Sequence, residues 1–510
     1  MAPTTVRDRG SVASRIRERV TRFATMAVLL AMTVAVVGDG IRLLDAVKSG
    51  NRTAVRALLR AKTDVNTAAP DGMTALHWAA LGDDIEMVRL LLGNGARVSA
   101  SNRYGVTPLS LAALNGSATM IEVLLAAGAD PDTVVSRGQT VLMTAARSGH
   151  IAAVRALLDR GASVDAQEDL LGETALTWAA AENHADIVSL LLKAKADPNQ
   201  RSKSVTWPKD SFGLEGVPTF LPKGGWTPLM YAAREGATEA ARTLAEGGAD
   251  LNAVDAEKTS ALIRAITNSH YDTAATLIEA GADPNLADNA GMAALYAATD
   301  MSSLGEVYGR PPRRVNDSHS AVDIIRLLLE HGADPNARLK TPLLTRAHTP
   351  GDPVLGEGAT PLMRAAKNGD YRAMDVLLAQ GADVTLRIKN NSTVLMYASG
   401  LGRGTSAFAE DVGTENDLFR AATLALEYGA DASAVNDQGA TALHYAGQTG
   451  LNSVVQVLAD YGAVLDAKDK QGRMPADSAM GVGGRGRAGG PAIVHKDTAE
   501  LINRLIAERR

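Results

Sequence analysis

A leucine returns every 33 residues along most of this 510-residue chain. Leu43, Leu76, Leu109 and Leu142 are evenly spaced and Leu176 follows after 34. The period resumes in Leu229, Leu262 and Leu295, in Leu362 and Leu395, and in Leu443. A repeat of this length constrains the fold more than any single motif. Each unit is one supersecondary element, too small to bury its own apolar face, so a core forms only where neighbours stack. The leucines sit in related strings: GMTALHWAA from Gly72, GVTPLSLAA from Gly105, GQTVLMTAA from Gly138, GETALTWAA from Gly172, GWTPLMYAA from Gly225, GMAALYAAT from Gly291, GATPLMRAA from Gly358 and GATALHYAG from Gly439. Weaker copies are TSALIRAI from Thr259 and NSTVLMYAS from Asn391.

One unit can be read physically. Threonine caps a short helix, and Pro108, Pro228 and Pro361 fall in its first turn, where the missing N–H costs nothing. Leucine followed by Ala-Ala makes a small-residue face for close packing. A glycine turn leads to a second helix with apolar residues at 3–4 spacing, as in VRLLLGNGARV, IEVLLAAGADP and IRLLLEHGADPN. That helix ends in Gly-Ala-Asp: glycine takes the left-handed cap, aspartate bonds the turn backbone, and a following proline forbids continuation.

These strings resemble the ankyrin repeat, over roughly residues 40–510. The resemblance implies an all-α solenoid of about 12 helix-turn-helix units with β-turn fingers. It also implies protein–protein recognition through the concave face of fingers and first helices, by a family whose members are mostly not enzymes. The end units depart from the pattern. Residues 41–66 lack the T-P-L-H string and carry Arg42, Lys48, Arg52, Arg56 and Arg60, and residues 472–510 place Ala476 at the leucine position. Polar end units keep a repeat array soluble.

The period breaks at Leu176 to Leu229 (53 residues), Leu295 to Leu362 (67) and Leu395 to Leu443 (48). The excess maps to insertions at about 200–223 and 337–357 in finger positions, and at 302–319 and 403–416 between the two helices of a unit. A glycine-rich stretch at 481–494 separates the helices of the last unit. Its GVGGRGRAGG lacks the Lys-Ser/Thr of a phosphate loop and reads as linker.

Residues 1–23 hold six arginines, and Ala24–Val37 is an uncharged run of 14, short for a spanning helix of ~20 residues. Residues 1–38 therefore read as a secretory signal, and 39–510 as the repeat domain. The expectation is an exported protein of bacterial type, periplasmic or secreted; an uncleaved N-terminal anchor or a cytoplasmic leader are the alternatives. Loss of residues 1–38 leaves 46 basic against 55 acidic residues, a body that steers a basic partner toward it. The net charge of −5 argues against nucleic acid, and the absence of cysteine removes disulfides, thiolate metal sites and cysteine nucleophiles.

No catalytic, cofactor or metal site emerges. His77 and His444 occupy the T-x-L-H position, and His150, His184, His270 and His331 stand at helix ends, which leaves His319, His348 and His495 beside insertions. No H-x-x-x-H pair and no G-x-S-x-G elbow exists. The aspartates Asp130, Asp197, Asp250, Asp283, Asp334, Asp383 and Asp431 repeat because a turn repeats, and the basic loop at Arg310, Arg313 and Arg314 reads as solvated. Two residues after each leucine runs a column of Trp78, Leu111, Trp178, Tyr231, Tyr397 and Tyr445, interrupted by Thr144, Arg264, Ala297 and Arg364. A column that admits two arginines is not expected to be buried core; partial packing of its rings against the neighbouring helix is the alternative. With Tyr104 and Trp226 at finger bases and Trp207 and Phe220 in the first insertion, the column forms the expected partner-binding set. The functional expectation is a monomeric, non-catalytic scaffold for another protein. An envelope structural role, or an enzyme whose site the insertions build, are the competing classes.

Overall fold

The computed structural model describes residues 38–206, 223–302, 317–341, 354–403, 413–482 and 492–509. The chain forms two compact units that divide between Leu170 and Leu171. Each unit is a stack of helix pairs.

The first unit contains α1 (38–48) and α2 (Arg52–Arg60), α3 (Ala75–Leu81) and α4 (Ile85–Leu92), α5 (Pro108–Asn115) and α6 (Ala118–Ala126), and α7 (Val141–Arg147) and α8 (Ile151–Asp159). The second contains α9 (Ala175–Ala181) and α10 (Ala185–Lys193), α11 (Pro228–Glu235) and α12 (Thr238–Glu246), α13 (Ala261–Thr267) and α14 (Tyr271–Glu279), and α15 (Ala294–Ser302) and α16 (Ala321–Glu330). It continues with α17 (Pro361–Asn368) and α18 (Tyr371–Ala379), α19 (Val394–Ala398) and α20 (Glu415–Glu427), α21 (Ala442–Thr449) and α22 (Asn452–Asp460), and α23 (Pro475–Ala479) and α24 (Lys496–Glu508). Within each unit, first helices pack on first helices and second on second, as in α3 on α5 and α6 on α8. The periodic leucines are the centre of this packing: from Leu43 to Leu443 none is more than 1% exposed.

The caps follow the sequence. Thr107 Oγ1 accepts from the Ser110 amide and Thr360 Oγ1 from Met363, ahead of Pro108 and Pro361. His77 explains the T-x-L-H string. Its Nδ1 accepts the Thr74 amide at 3.1 Å, so Nε2 carries the proton and donates to the Val106 carbonyl of the next finger at 3.0 Å. His444 repeats this between Thr441 and the Arg473 carbonyl. Gly116 closes α5 at φ 71°, and a Cβ there would meet the His150 ring at 2.3 Å. Gly450 stands in the same relation to His495, which gives that histidine a scaffold role.

The fingers are tight turns held by carboxylate or amide side chains. Asp288 Oδ1 takes the amides of Ala290 and Met292, and Asn102 Oδ1 those of Tyr104 and Val106. One finger closes into a hairpin of β1 (Val134–Ser136) and β2 (Gln139–Thr140). The recurrent aspartates are turn residues, as expected: Asp283 Oδ1 accepts from Asn285 N, and Asp334 Oδ1 from Asn336 N. The asparagines then couple neighbours. Asn285 Oδ1 accepts the Asp334 amide at 2.8 Å and its Nδ2 donates to the Gly332 carbonyl at 2.9 Å. Asn336 does the same toward Asp383 and Gly381, and Asn252 accepts from Asp283.

Only the edges of the expected insertions fall among the described residues. The first is pinned at its base by the Ser204–Gly224 bridge, with Val205 N donating to Lys223 O. The second finger insertion is clamped by Leu339 N to Ala359 O and Gly358 N to Leu339 O. The insertion expected over 403–416 is shorter than that. Thr414 and Asp417 form the capping box of α20, and Glu415 bonds Ser453, so the last residues belong to the helix and its cap. The signal expected over 1–38 lies outside the described residues except for Gly38, which opens α1. Among the described residues no helix is long and apolar enough to cross a membrane.

Candidate functional site

The residues two places after each leucine are half-buried at Trp78, Trp178, Tyr231 and Tyr445 and interior at Leu111, Ala297, Arg364 and Tyr397. In the first unit Trp78 is half-buried against Met73, Ala80 and Leu111, with the Lys48 ammonium 4.5 Å from its ring centre. Leu111 is 9% exposed, while Tyr104 at the fingertip is 68% exposed with the Arg103 guanidinium nearby. In the second unit Trp178 and Tyr231 are half-buried, and burial pushes the Tyr231 hydroxyl pKa up. Tyr445 is also half-buried. Its hydroxyl meets Asn436 Nδ2 at 2.7 Å and Gln438 at 3.2 Å, beside a cavity of about 130 Å³ that Asp469 and Arg473 also line. That volume suits one side chain rather than a metabolite.

Three of the expected partner residues are interior, Leu111 among them. Trp226 is 4% exposed, meets Tyr231 edge-on at 5.2 Å, and carries the Arg264 guanidinium stacked 3.7 Å from its ring centre. Tyr397 is fully buried and donates its hydroxyl to the Val354 carbonyl at 3.0 Å. Trp207, Phe220 and His348 lie outside the described residues.

The two arginines do not mark an open column. Arg364 is 5% exposed and Asp300 3%, with Nε to Oδ1 at 2.6 Å. Arg264 pairs with Asp255, whose side chain is fully buried. A guanidinium tolerates burial where a carboxylate neutralises it. Asp300 lies five residues after Leu295, one repeat before Arg364, and nothing in the period marks it as a partner. From Ala297 through Arg364 to Tyr397 the column is therefore interior. Sequence reasoning also passed over Leu81 and Leu114, in the last turns of α3 and α5 at 40% and 54% exposure. Their signal was a second column, five residues after each leucine.

Beside the insertions, His319 Nδ1 meets Asp272 Oδ1 at 2.7 Å, and the same carboxylate takes the Ser318 and His319 amides. These bonds outweigh the effect of partial burial and hold the Asp272 pKa down at about 2. The contact fastens the end of an insertion to α14. Among the described residues, no three acidic or histidine side chains gather to hold a metal ion.

Two family models match this chain. The one described as "Ankyrin repeats (3 copies)" covers residues 43–135, 128–202, 214–288 and 321–408, and the single "Ankyrin repeat" covers 438–470. Human Ankyrin repeat and SOCS box protein 16 is 29% identical over 268 residues, 52% of this chain and 50% of that protein. Its mouse counterpart is 33% identical over 121 residues, 24% of this chain and 25% of the relative. Human Ankyrin repeat and KH domain-containing protein 1 is 36% identical over 108 residues, 21% of this chain and 4% of that protein. The chain thus spans half or less of the curated relatives it matches.

Proposed function

Because the chain belongs to the ankyrin repeat family, we propose that it is a non-catalytic scaffold that binds another protein through the open parts of its first helices and fingers. The observation that carries this reading is the split in the ring column. Trp78, Trp178, Tyr231 and Tyr445 keep part of their surface in solvent, and Tyr104 most of it, whereas the packing of the arrays already consumes Trp226 and Tyr397. Half-exposed rings on stiff helices give large contact area at small entropic cost, as binding hot spots require.

The export reading belongs to the same proposal. Six arginines ahead of the 14-residue uncharged run support removal of residues 1–38 on the way out of the cytoplasm. The mature chain then works as a monomer. Mass spectrometry of the protein from its native host is expected to find a first residue near 36–39, and a soluble chain starting at Met1 or Ala2 refutes export. For recognition, the chain is used as bait in an extract of the native host, with Tyr104→Ala in parallel. One dominant partner, held less tightly by the variant at unchanged melting temperature, is the expected result. No partner above a control bait refutes the reading.

A further inference from the structure

The cavity of about 130 Å³ beside Tyr445 holds two charges, and they are spent on each other. Arg473 grips Asp469 Oδ2 with Nε and Nη2, each at 2.7 Å. Its remaining contacts are Gln471 Oε1 and the Val482 carbonyl, while Asp469 Oδ1 takes the Gln471 and Arg473 amides. Both ring nitrogens of His444 are engaged as well. The two glutamines that line the cavity retain capacity. Gln438 Oε1 accepts from Asn436 Nδ2 at 3.3 Å and from the Tyr445 hydroxyl at 3.2 Å. Those two donors fix which way its amide points and leave the Nε2 hydrogens unused among the described residues. Gln448, half-buried five residues after Leu443, has no side-chain partner among the described residues. Ser478 Oγ makes one long bond to the Met474 carbonyl, at 3.5 Å, and keeps its lone pairs. Asn436 and Tyr445 stand nine residues apart, as do Asp255 and Arg264 at another finger. Where that pair is ionic, this one is neutral.

We infer that this cavity is the subsite for a carboxamide side chain, asparagine or glutamine, of the partner protein. The inference rests on the recognition reading above and names one residue of its partner. A carboxamide brings one acceptor oxygen and two donor hydrogens. Its oxygen takes an Nε2 hydrogen of Gln438 or Gln448, and its own hydrogens go to Gln448 Oε1 and Ser478 Oγ, so both sides are matched. A carboxylate has nothing to give those acceptors and meets no free counter-charge. Arg473 is neutralised by Asp469, exposed Lys470 has Asp437 on the neighbouring fingertip, and Asp477 caps the Met474 amide. An ammonium or guanidinium leaves the amide hydrogens unpaired and stands against Arg473. An apolar side chain dries both glutamines without a bond in return, which costs about tenfold or more in affinity.

The test selects random peptides displayed on phage against the full chain, in parallel with Gln448→Met, which keeps the side-chain length and loses both hydrogen-bonding groups. Clones that bind the parent and fail on the variant are expected to share an asparagine or glutamine. In synthetic copies read by fluorescence anisotropy, exchange of that residue for its acid or for leucine weakens binding about tenfold each. Gln438→Met, at an exposed fingertip, is expected to weaken the same peptides, and it carries the test if Gln448→Met lowers the melting temperature. Sensitive clones that share a carboxylate, a cation or an apolar residue instead overturn the assignment. So does binding indifferent to the exchange, or the absence of sensitive clones. The partner captured from the native host separates the two readings. If Gln448→Met retains it fully, the subsite is wrong while recognition stands; if the unsubstituted chain captures none, recognition fails and the subsite falls with it.

Discussion

Replacing Asp300 by Asn removes one charge from a pair that is almost wholly buried, and the cost follows from where that pair sits. Arg364 and Asp300 side chains are 6% and 4% exposed, with Nε and Oδ1 2.6 Å apart. Taking the carboxylate away strips a desolvated guanidinium of its buried counter-charge, which typically costs about 3–5 kcal/mol. Arg364→Met leaves the converse buried carboxylate at a similar cost. The double variant has no buried charge, and exchanging such a pair for packed neutral groups is often neutral. The double is therefore expected within about 1 kcal/mol of the parent, a coupling of several kcal/mol between the two sites. Urea denaturation followed by circular dichroism measures all four proteins, with the transition assigned to the second unit. Single variants that each cost less than about 1 kcal/mol, or a double as damaged as the sum of its parts, would refute the view that the pair is what lets arginine enter the interior.

Three further outcomes follow from the geometry. Asn285→Ala deletes both bonds of one step in the asparagine ladder and is expected to cost about 1–2 kcal/mol, read as a lower urea midpoint at unchanged slope. His77 and His444 have pKa values pushed down by burial, so the unfolded chain binds protons that the folded chain refuses. Stability should accordingly fall as pH drops below ~6.5, by at most about 1.4 kcal/mol per pH unit for each histidine until its lowered pKa is passed. Replacing both by Asn should flatten that slope, and an unchanged slope would discount them. Linking Arg403 to Gly413 through two residues should scarcely shift melting, because closure entropy varies slowly with loop length. Thr414→Ala, which breaks the capping box of α20, should cost about 1 kcal/mol, and a reversed ranking would show that the loop carries core.

The scaffold was legible because its signals are local and repeated. Thr107 before Pro108, glycine after the helices and aspartate in the turns act within a few residues of themselves, and each recurs until chance is excluded. The placement of the insertions came from arithmetic on the leucines. What escaped was long-range. Asp300 makes Arg364 interior and Asp255 holds Arg264 half-buried, and no spacing rule links them. Tyr397 is buried with Val354 against its hydroxyl, a contact between segments 43 residues apart. The expected 403–416 insertion overlaps the start of α20, because the Thr414 cap shows itself only where Asp417 completes its capping box. Leu81 and Leu114 carry no ring and lie one turn beyond the ring column on the same helices, so a search for aromatic hot spots does not find them.

The central claim is that a partner binds on the open first-helix and finger surfaces, and side-chain footprinting reads those positions directly. Hydroxyl radicals label exposed tyrosine and tryptophan, and this chain carries its own controls. Tyr428 and Tyr461, 46% and 47% exposed, stand at the ends of second helices, away from the proposed surfaces. With the captured partner bound, Tyr104 and one or more of Trp78, Trp178, Tyr231 and Tyr445 are expected to lose labelling while Tyr428 and Tyr461 keep theirs. Protection of Tyr428 and Tyr461 with Tyr104, Trp78 and Trp178 unchanged would contradict the account.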